Sequence, residues 1–150
     1  MATTNKYTEA HLGTKGPGDA RPTAEDILKD EGLEGKFTDK VILVTGASAG
    51  IGVETVRVLS KTGATVFAAA RDLKKAEDAL AGFEGKIELL KLDLASFSSV
   101  REAAAEFLKR SGGKLNILVN NAGIMALPDR NLTEDGFEAQ FGTNHLGKEL

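Results

Sequence analysis

Thr45-Gly46-Ala47-Ser48-Ala49-Gly50-Ile51-Gly52 places three glycines within seven residues, between two apolar stretches. The flanks restrict what such a loop can be. On its N-terminal side Val41-Ile42-Leu43-Val44 is an unbroken aliphatic run, suited to a strand covered on both faces. On its C-terminal side residues 51–62 set Ile51, Thr55, Val56 and Leu59 on one helical face, and Gly63 stands where a helix C-cap glycine belongs. A strand, a glycine turn and an amphipathic helix make a βα unit whose turn can approach a phosphate. Cβ atoms at Gly46 and Gly50 would obstruct a pyrophosphate, while Gly52 lets the helix lie close to the sheet. The helix opening near Ile51 presents unpaired N–H groups and the positive end of its dipole. A purely structural βα turn also uses glycines, but placement between a buried run and an amphipathic helix favours phosphate binding. The spacing is G-x-x-x-G-x-G, not G-x-G-x-x-G, and the absence of a following Gly-Lys-Ser/Thr excludes a Walker A loop.

The same alternation continues along the chain. Residues 65–70 predict a second strand, and Leu73, Ala76 and Leu80 a short helix that Gly82 ends. Residues 87–92 predict a third strand. A helix over 97–110 carries Val100, Ala103, Ala104, Phe107 and Leu108 on one face, with Ser99 and Glu102 as its capping box and Gly112-Gly113 as its stop. Residues 115–119 predict a fourth strand. Thr133-Glu134-Asp135 offers a further helix start, with Phe137 and Phe141 as an i, i+4 pair. Leu73, Phe107, Phe137 and Phe141 read as core. Strands alternating with helices of this length imply right-handed βαβ crossovers, hence an α/β fold on a parallel sheet.

Residues 1–22 hold Gly13, Gly16, Pro17, Gly18 and Pro22 among polar neighbours, the composition of a flexible arm. Residues 23–37 read as a short helical lead-in that starts at Thr23-Ala24-Glu25-Asp26, with Ile27 and Leu28 as its apolar contacts. The sheet domain then occupies residues 38–150. With no cysteine, disulfides and thiolate zinc sites are excluded. His11 and His145 are the only histidines, so no metal site is expected. A net charge of −3 argues against nucleic acid as a partner. Residues 1–10 lack the apolar centre of a secretory signal, and no apolar run approaches the ~18 residues of a membrane span. A cytoplasmic location is the default expectation.

Four stretches in order resemble the short-chain dehydrogenase/reductase family. Thr45-Gly-x-x-x-Gly-Ile-Gly matches its cofactor loop, and Asp93-Leu94 its adenine-contacting pair. Asn120-Asn121-Ala122-Gly123 matches its Asn-Asn-Ala-Gly block, and Asn144 falls where the family has its active-site asparagine. The wording is most similar to the retinol-dehydrogenase-like branch and its fungal relatives, over residues 38–147. The resemblance implies a Rossmann-type doubly wound parallel sheet of about four strands, in the order 3-2-1-4, and a nicotinamide dinucleotide as cofactor. It assigns cofactor binding to Gly46, Ser48, Gly50, Ile51, Gly52, Arg71, Asp93, Leu94, Asn121, Ala122 and Gly123.

At the end of the second strand an acid accepts hydrogen bonds from the adenosine ribose, whereas an arginine attracts a 2′-phosphate. The chain reads Ala69-Ala70-Arg71-Asp72 there. By resemblance Ala70 takes the position of the usual NAD-selecting acid, and Arg71 follows with a guanidinium that can pair with phosphate. Ser48 is expected as a second phosphate ligand. Asp72 as the ribose acid would favour NAD(H); Arg71 and the small Ala70 favour NADP(H). Asp93 is expected to accept from the adenine amino group, to cap the helix after it, or both. Asn121 is expected to support the fourth-strand turn and the nicotinamide ribose, with Ala122 and Gly123 leaving room for the cofactor.

The family's serine, tyrosine and lysine, which handle the proton and the substrate oxygen, lie beyond the Asn-Asn-Ala-Gly block. The single tyrosine here is Tyr7, with His11 and not lysine four residues on. After His145-Leu146-Gly147 the chain reads Lys148-Glu149-Leu150, where relatives continue with a histidine and an apolar run. The expectation is therefore the N-terminal, NADP(H)-binding half of a carbonyl/alcohol oxidoreductase, truncated before the Tyr-x-x-x-Lys. Asn144 is left to support a proton relay only, and the chain alone is expected to be inactive. A non-catalytic NADP(H)-binding module and an unstable gene product are the alternatives. The fourth strand should be an unprotected edge, and the family-type dimer interface should be largely missing.

Overall fold

The computed structural model describes residues 7–150; residues 1–6 of the expected N-terminal arm lie outside the described residues. Strands β1 (Val41–Thr45), β2 (Thr65–Ala70), β3 (Lys86–Lys91) and β4 (Ile117–Val119) form one parallel sheet in the order β3-β2-β1-β4. Val41 pairs with Thr65 and Ile42 with Ile117, so β1 lies between β2 and β4. Helix α1 (Ala24–Asp30) precedes the sheet, and α2 (Ile51–Ser60), α3 (Leu73–Leu80) and α4 (Phe97–Ser111) connect its strands. After β4 the chain ends in α5 (Ala139–Phe141), a π-helical turn (Gly142–Leu146) and α6 (Gly147–Glu149), which follow one another directly. This is the fold class and strand order that the sequence implies.

Alternate side chains of the central strands serve opposite faces. Ile42, Val44, Val66 and Ala68 pack with Val56 of α2 and Leu80 of α3. Val41, Phe67 and Leu90 pack with Ala103 and Phe107 of α4. Phe67 and Phe107 meet edge to face, with ring centroids 4.9 Å apart. With both faces covered, every residue of β1 needs an apolar environment, hence its unbroken aliphatic run. The chain winds from β1 outward to β3 and then crosses back to lay β4 on the other side of β1. The crevice outside the carboxyl ends of β1 and β4 is thus the topological switch point, where such sheets bind ligands.

Helix α1 is fixed at its start by a reciprocal cap: Asp26 N–H donates to Thr23 Oγ1 at 3.1 Å, and Thr23 N–H to Asp26 Oδ2 at 2.9 Å. Its Glu25 reaches α2 and the residue after it, taking Lys61 at 2.7 Å and Arg57 at 2.8 Å, together with Lys29 at 3.2 Å. Those hydrogen-bonded cations, Lys61 foremost, hold the Glu25 carboxyl down at about 2.

Several helix ends and faces differ from the sequence expectation. Helix α2 stops at Ser60, and Ile51 is 79% exposed, a rim residue and not core. Helix α4 is capped by Ser96, because it starts at Phe97 and Ser99 already lies in its first turn; the Ser99 hydroxyl instead accepts from Asp93 N–H at 2.9 Å. Its buried stripe is Val100, Ala103 and Phe107, while Ala104 is exposed and Leu108 is 54% exposed. Thr133 starts a turn, not a helix: its carbonyl accepts from Gly136 N–H at 3.0 Å, and Gly136 takes the left-handed φ of +83°. The helix begins at Ala139 instead, capped by the Glu138 carboxylate, which accepts from the N–H groups of Gln140 (3.0 Å) and Phe141 (2.8 Å). Those two N–H groups draw the Glu138 carboxyl below its usual range. Phe137 and Phe141 accordingly stand exposed, against Phe97 and His145 respectively, and Leu73 is exposed as well. Of the four residues read as core, only Phe107 is buried.

Candidate functional site

At the switch point the ends of β1 and β4 are cross-linked by side chains. Thr45 Oγ1 donates to the Val119 carbonyl at 3.4 Å and accepts from Ala122 N–H at 3.1 Å. Asn121 Nδ2 donates to the carbonyls of Thr45 at 2.9 Å and Gly46 at 3.3 Å. The carboxamide of Asn121 thus braces the glycine loop from beneath. Thr45 is a supporting residue that the sequence reading placed in the loop motif but not among the site residues. The signal for it was a lone hydroxyl at the end of an otherwise aliphatic strand.

The three glycines prove to have three different causes. A Cβ on Gly46, at φ +73°, would lie 2.8 Å from Ala122 Cα, so the obstruction there is the β4 turn and not a pyrophosphate. On Gly52 it would run into the Gly46 carbonyl oxygen and come within 2.7 Å of Asn121 Nδ2, which is how closely α2 approaches the sheet. Around Gly50, the N-cap of α2 at φ +60°, nothing lies within 4 Å. That open space, directly before the free N–H groups of a ten-residue helix, suits an anionic group.

A cavity of about 630 Å³ opens over this loop, within the size range of small-ligand sites. Gly46, Ser48, Ile51, Gly52, Arg71, Asp93, Leu94, Asn121, Ala122 and Gly123 all line it, so the cofactor residues expected from sequence converge on one place. Gly50 lies between two lining residues, Ala49 and Ile51. Asn144 stands behind Gly123, where its Oδ1 would be 3.3 Å from an added Cβ. Its carboxamide holds the Ile124 backbone at both polar atoms (2.8 and 2.7 Å). Thr133 and Thr143 also line the cavity and were not expected.

At the β2 end of the cavity Arg71 is exposed, and its carbonyl accepts from the Lys91 ammonium. The next residue, Asp72, turns its carboxylate to α3 and accepts from Lys75 N–H at 3.0 Å as the helix N-cap. At the β3 end Asp93 Oδ1 accepts from Ala95 N–H at 2.9 Å, a local turn and not the cap of α4, which Ser96 provides. Asp93 also lines the cavity.

Residues 40–148 match the family model for short chain dehydrogenases. The chain belongs to that family. Short-chain dehydrogenase/reductase prx1 of Penicillium roqueforti is 55% identical over 144 residues, which is 95% of this chain and 42% of that protein. Human retinol dehydrogenase 13 is 43% identical over 113 residues, 72% of this chain and 34% of its own length. The chain therefore spans less than half the length of these relatives. Among solved structures, 3-ketoacyl-(acyl-carrier-protein) reductase from Brucella melitensis, complexed with NADH, superposes with a TM-score of 0.62 at 32% identity, over 79% of this chain and 47% of that one. A metagenomic short-chain oxidoreductase in complex with NADP gives 0.54 at 35% identity, over 59% and 41%. The family binds a nicotinamide dinucleotide, and both forms of it occur among these neighbours. No helix among the described residues is long and apolar enough to cross a membrane.

Proposed function

We propose that this chain is the NADP(H)-binding half of a cytoplasmic short-chain oxidoreductase that interconverts a carbonyl and an alcohol. One observation carries the choice of NADP(H). Arg71 lines the cavity at the end of β2, while the competing acid, Asp72, has its carboxylate engaged at the start of α3. A guanidinium there can pair with a ribose 2′-phosphate, and no carboxylate directed into the cavity at that point repels it. Ser48 adds a hydroxyl from the glycine loop. The N–H groups opening α2 would face the pyrophosphate, and the second oxygen of Asp93 would accept from the adenine amino group. Asn121 and Asn144 act through the backbone, by fixing the glycine loop and Ile124. Residues 38–150 form the cofactor-binding unit, with 23–37 as its lead-in and 1–22 as an arm.

A bound nicotinamide dinucleotide gives or takes a hydride. The tyrosine with a lysine four residues on that would handle the accompanying proton does not occur in this sequence; the single tyrosine, Tyr7, donates its hydroxyl to Asp30 at 3.1 Å and is followed by His11 at that spacing. The chain by itself is thus expected to bind cofactor without turning over. The test is a fluorescence titration of the purified chain with NADPH and NADH. Saturable binding of NADPH at lower concentration than NADH is expected, and no saturable binding of either would sink the reading. Turnover by the purified chain with a panel of ketones would overturn the expectation of inactivity.

A further inference from the structure

Cations gather at the carboxyl ends of β2 and β3 without counter-charges. Arg71 follows β2, Lys91 is the last residue of β3, and Lys75 lies in the first turn of α3. All three are exposed, and none of them takes part in an ion pair among the described residues. Their neighbour Lys74, in contrast, is matched by Asp78 at 2.8 Å and Glu77 at 3.4 Å. The intervening acid, Asp72, has its carboxylate at the Lys75 N–H as the cap of α3. The first turn of α3 holds no acidic residue, although the helix dipole favours one there. Like charges brought together repel one another, so the cluster is unfavourable until an anion joins it.

Within the cluster Lys91 has a fixed place. It stands opposite Ala70 in the register of β2 and β3, and its ammonium donates to the Arg71 carbonyl. That bond ties the end of β3 to the turn leaving β2. It also holds a second positive charge at the backbone of the residue that lines the cavity there. An ammonium has three donors, and the carbonyl takes one of them. A phosphomonoester carries about 1.5 to 2 negative charges at neutral pH, more than one guanidinium neutralises. The two cations differ in what they offer it: Arg71 a planar fork, Lys91 a compact point charge.

We propose that Lys91 is a specificity-determining residue, the second cation of the site that takes the ribose 2′-phosphate. The assignment rests on the NADP(H) reading given above. The phosphate is then met from two adjacent strands: by the guanidinium that follows β2 and by the ammonium that ends β3.

Lys91→Gln keeps a donor for the Arg71 carbonyl and removes the charge, whereas Lys91→Arg keeps the charge. Lys109→Gln, in the last turn of α4, controls for the change in net charge. Parent and variants are titrated with NADPH, NADH and adenosine 2′,5′-bisphosphate at low and high salt. Glutamine at position 91 is expected to weaken NADPH and the bisphosphate about fivefold and NADH less than about twofold. It should also flatten the salt dependence of NADPH binding, while arginine stays within about twofold of the parent. An equal loss for NADPH and NADH would mean that Lys91 only holds the turn after β2, and it overturns the proposal. So does a glutamine variant with the parent's ratio of affinities, or a Lys109 control that loses as much. A parent that binds NADPH no tighter than NADH overturns the NADP(H) reading, and this proposal with it.

Discussion

Asn144 grips one backbone residue with both ends of its carboxamide: Oδ1 accepts from Ile124 N–H at 2.8 Å, and Nδ2 donates to the Ile124 carbonyl at 2.7 Å. The pair joins the π-helical turn to the segment that leaves the Asn-Asn-Ala-Gly block. Asn144→Asp keeps the acceptor but faces a carboxylate toward a carbonyl oxygen. It is expected to cost about 1–2 kcal/mol. Hydrogen exchange at residues 124–127 should accelerate while the strands stay protected; unchanged exchange there would show that the clamp does not hold the segment.

Gly52→Ala tests the close approach of α2 to the sheet. Its Cβ meets a backbone carbonyl and the Asn121 amide, neither of which can swing aside. The expected loss is about 3 kcal/mol. Gly82→Ala is the reference, with a left-handed φ of +82° and open space, where the cost is about 1 kcal/mol. Denaturant unfolding of both measures the difference, and equal losses would mean that α2 is free to move outward.

Arg71→Asp reverses the charge at the end of β2. NADPH should bind at least about tenfold more weakly and NADH little differently or better, so that the preference inverts. Added salt should weaken NADPH more than NADH for the parent and not for the variant. An unaltered ratio of the two affinities removes Arg71 from the phosphate site.

Glu25 gives a pH signature. Its carboxyl titrates at about 2 in the fold, below its ordinary 4.5, so its contribution is complete above about 4.5 and fades as pH falls toward 2. Glu25→Gln should therefore lower the melting temperature at pH 7 by a few degrees at most, as expected of an exposed cluster. The gap between variant and parent should narrow on acidification below 4.5; a constant gap would mean that the cations at Lys61, Arg57 and Lys29 do not stabilise α1 through this charge.

The parts legible in the sequence are those dictated by local pattern. The aliphatic run 41–44, the glycine loop and the alternation after it lead directly to a doubly covered parallel sheet, while its strand order was legible only through the family resemblance. The residues expected at the cofactor came from motif, and all of them but Gly50 line one cavity. What was hidden depends on partners distant in the chain. Nothing near Gly46 discloses that Ala122 fills the space beside it, and nothing near Thr143 discloses that its hydroxyl finds no carbonyl. The turn around Gly136 read as a helix start because Thr-Glu-Asp suits both, and the left-handed φ that decides between them is not a property of those three residues. Leu108 read as buried because periodicity reports which side of a helix is apolar, not how much of that side a neighbour covers.

The brace beneath the glycine loop also sets a schedule. The Asn121 carboxamide reaches the Thr45 carbonyl across 76 positions of chain. A ribosome that adds about 5–20 residues per second leaves the loop waiting on the order of 4–15 s for its support. During that interval the nascent glycine loop has its helix and its first two neighbours but no floor. The final shape of the loop is therefore a late event in the life of the growing chain, gated by the arrival of the shortest strand in the sheet.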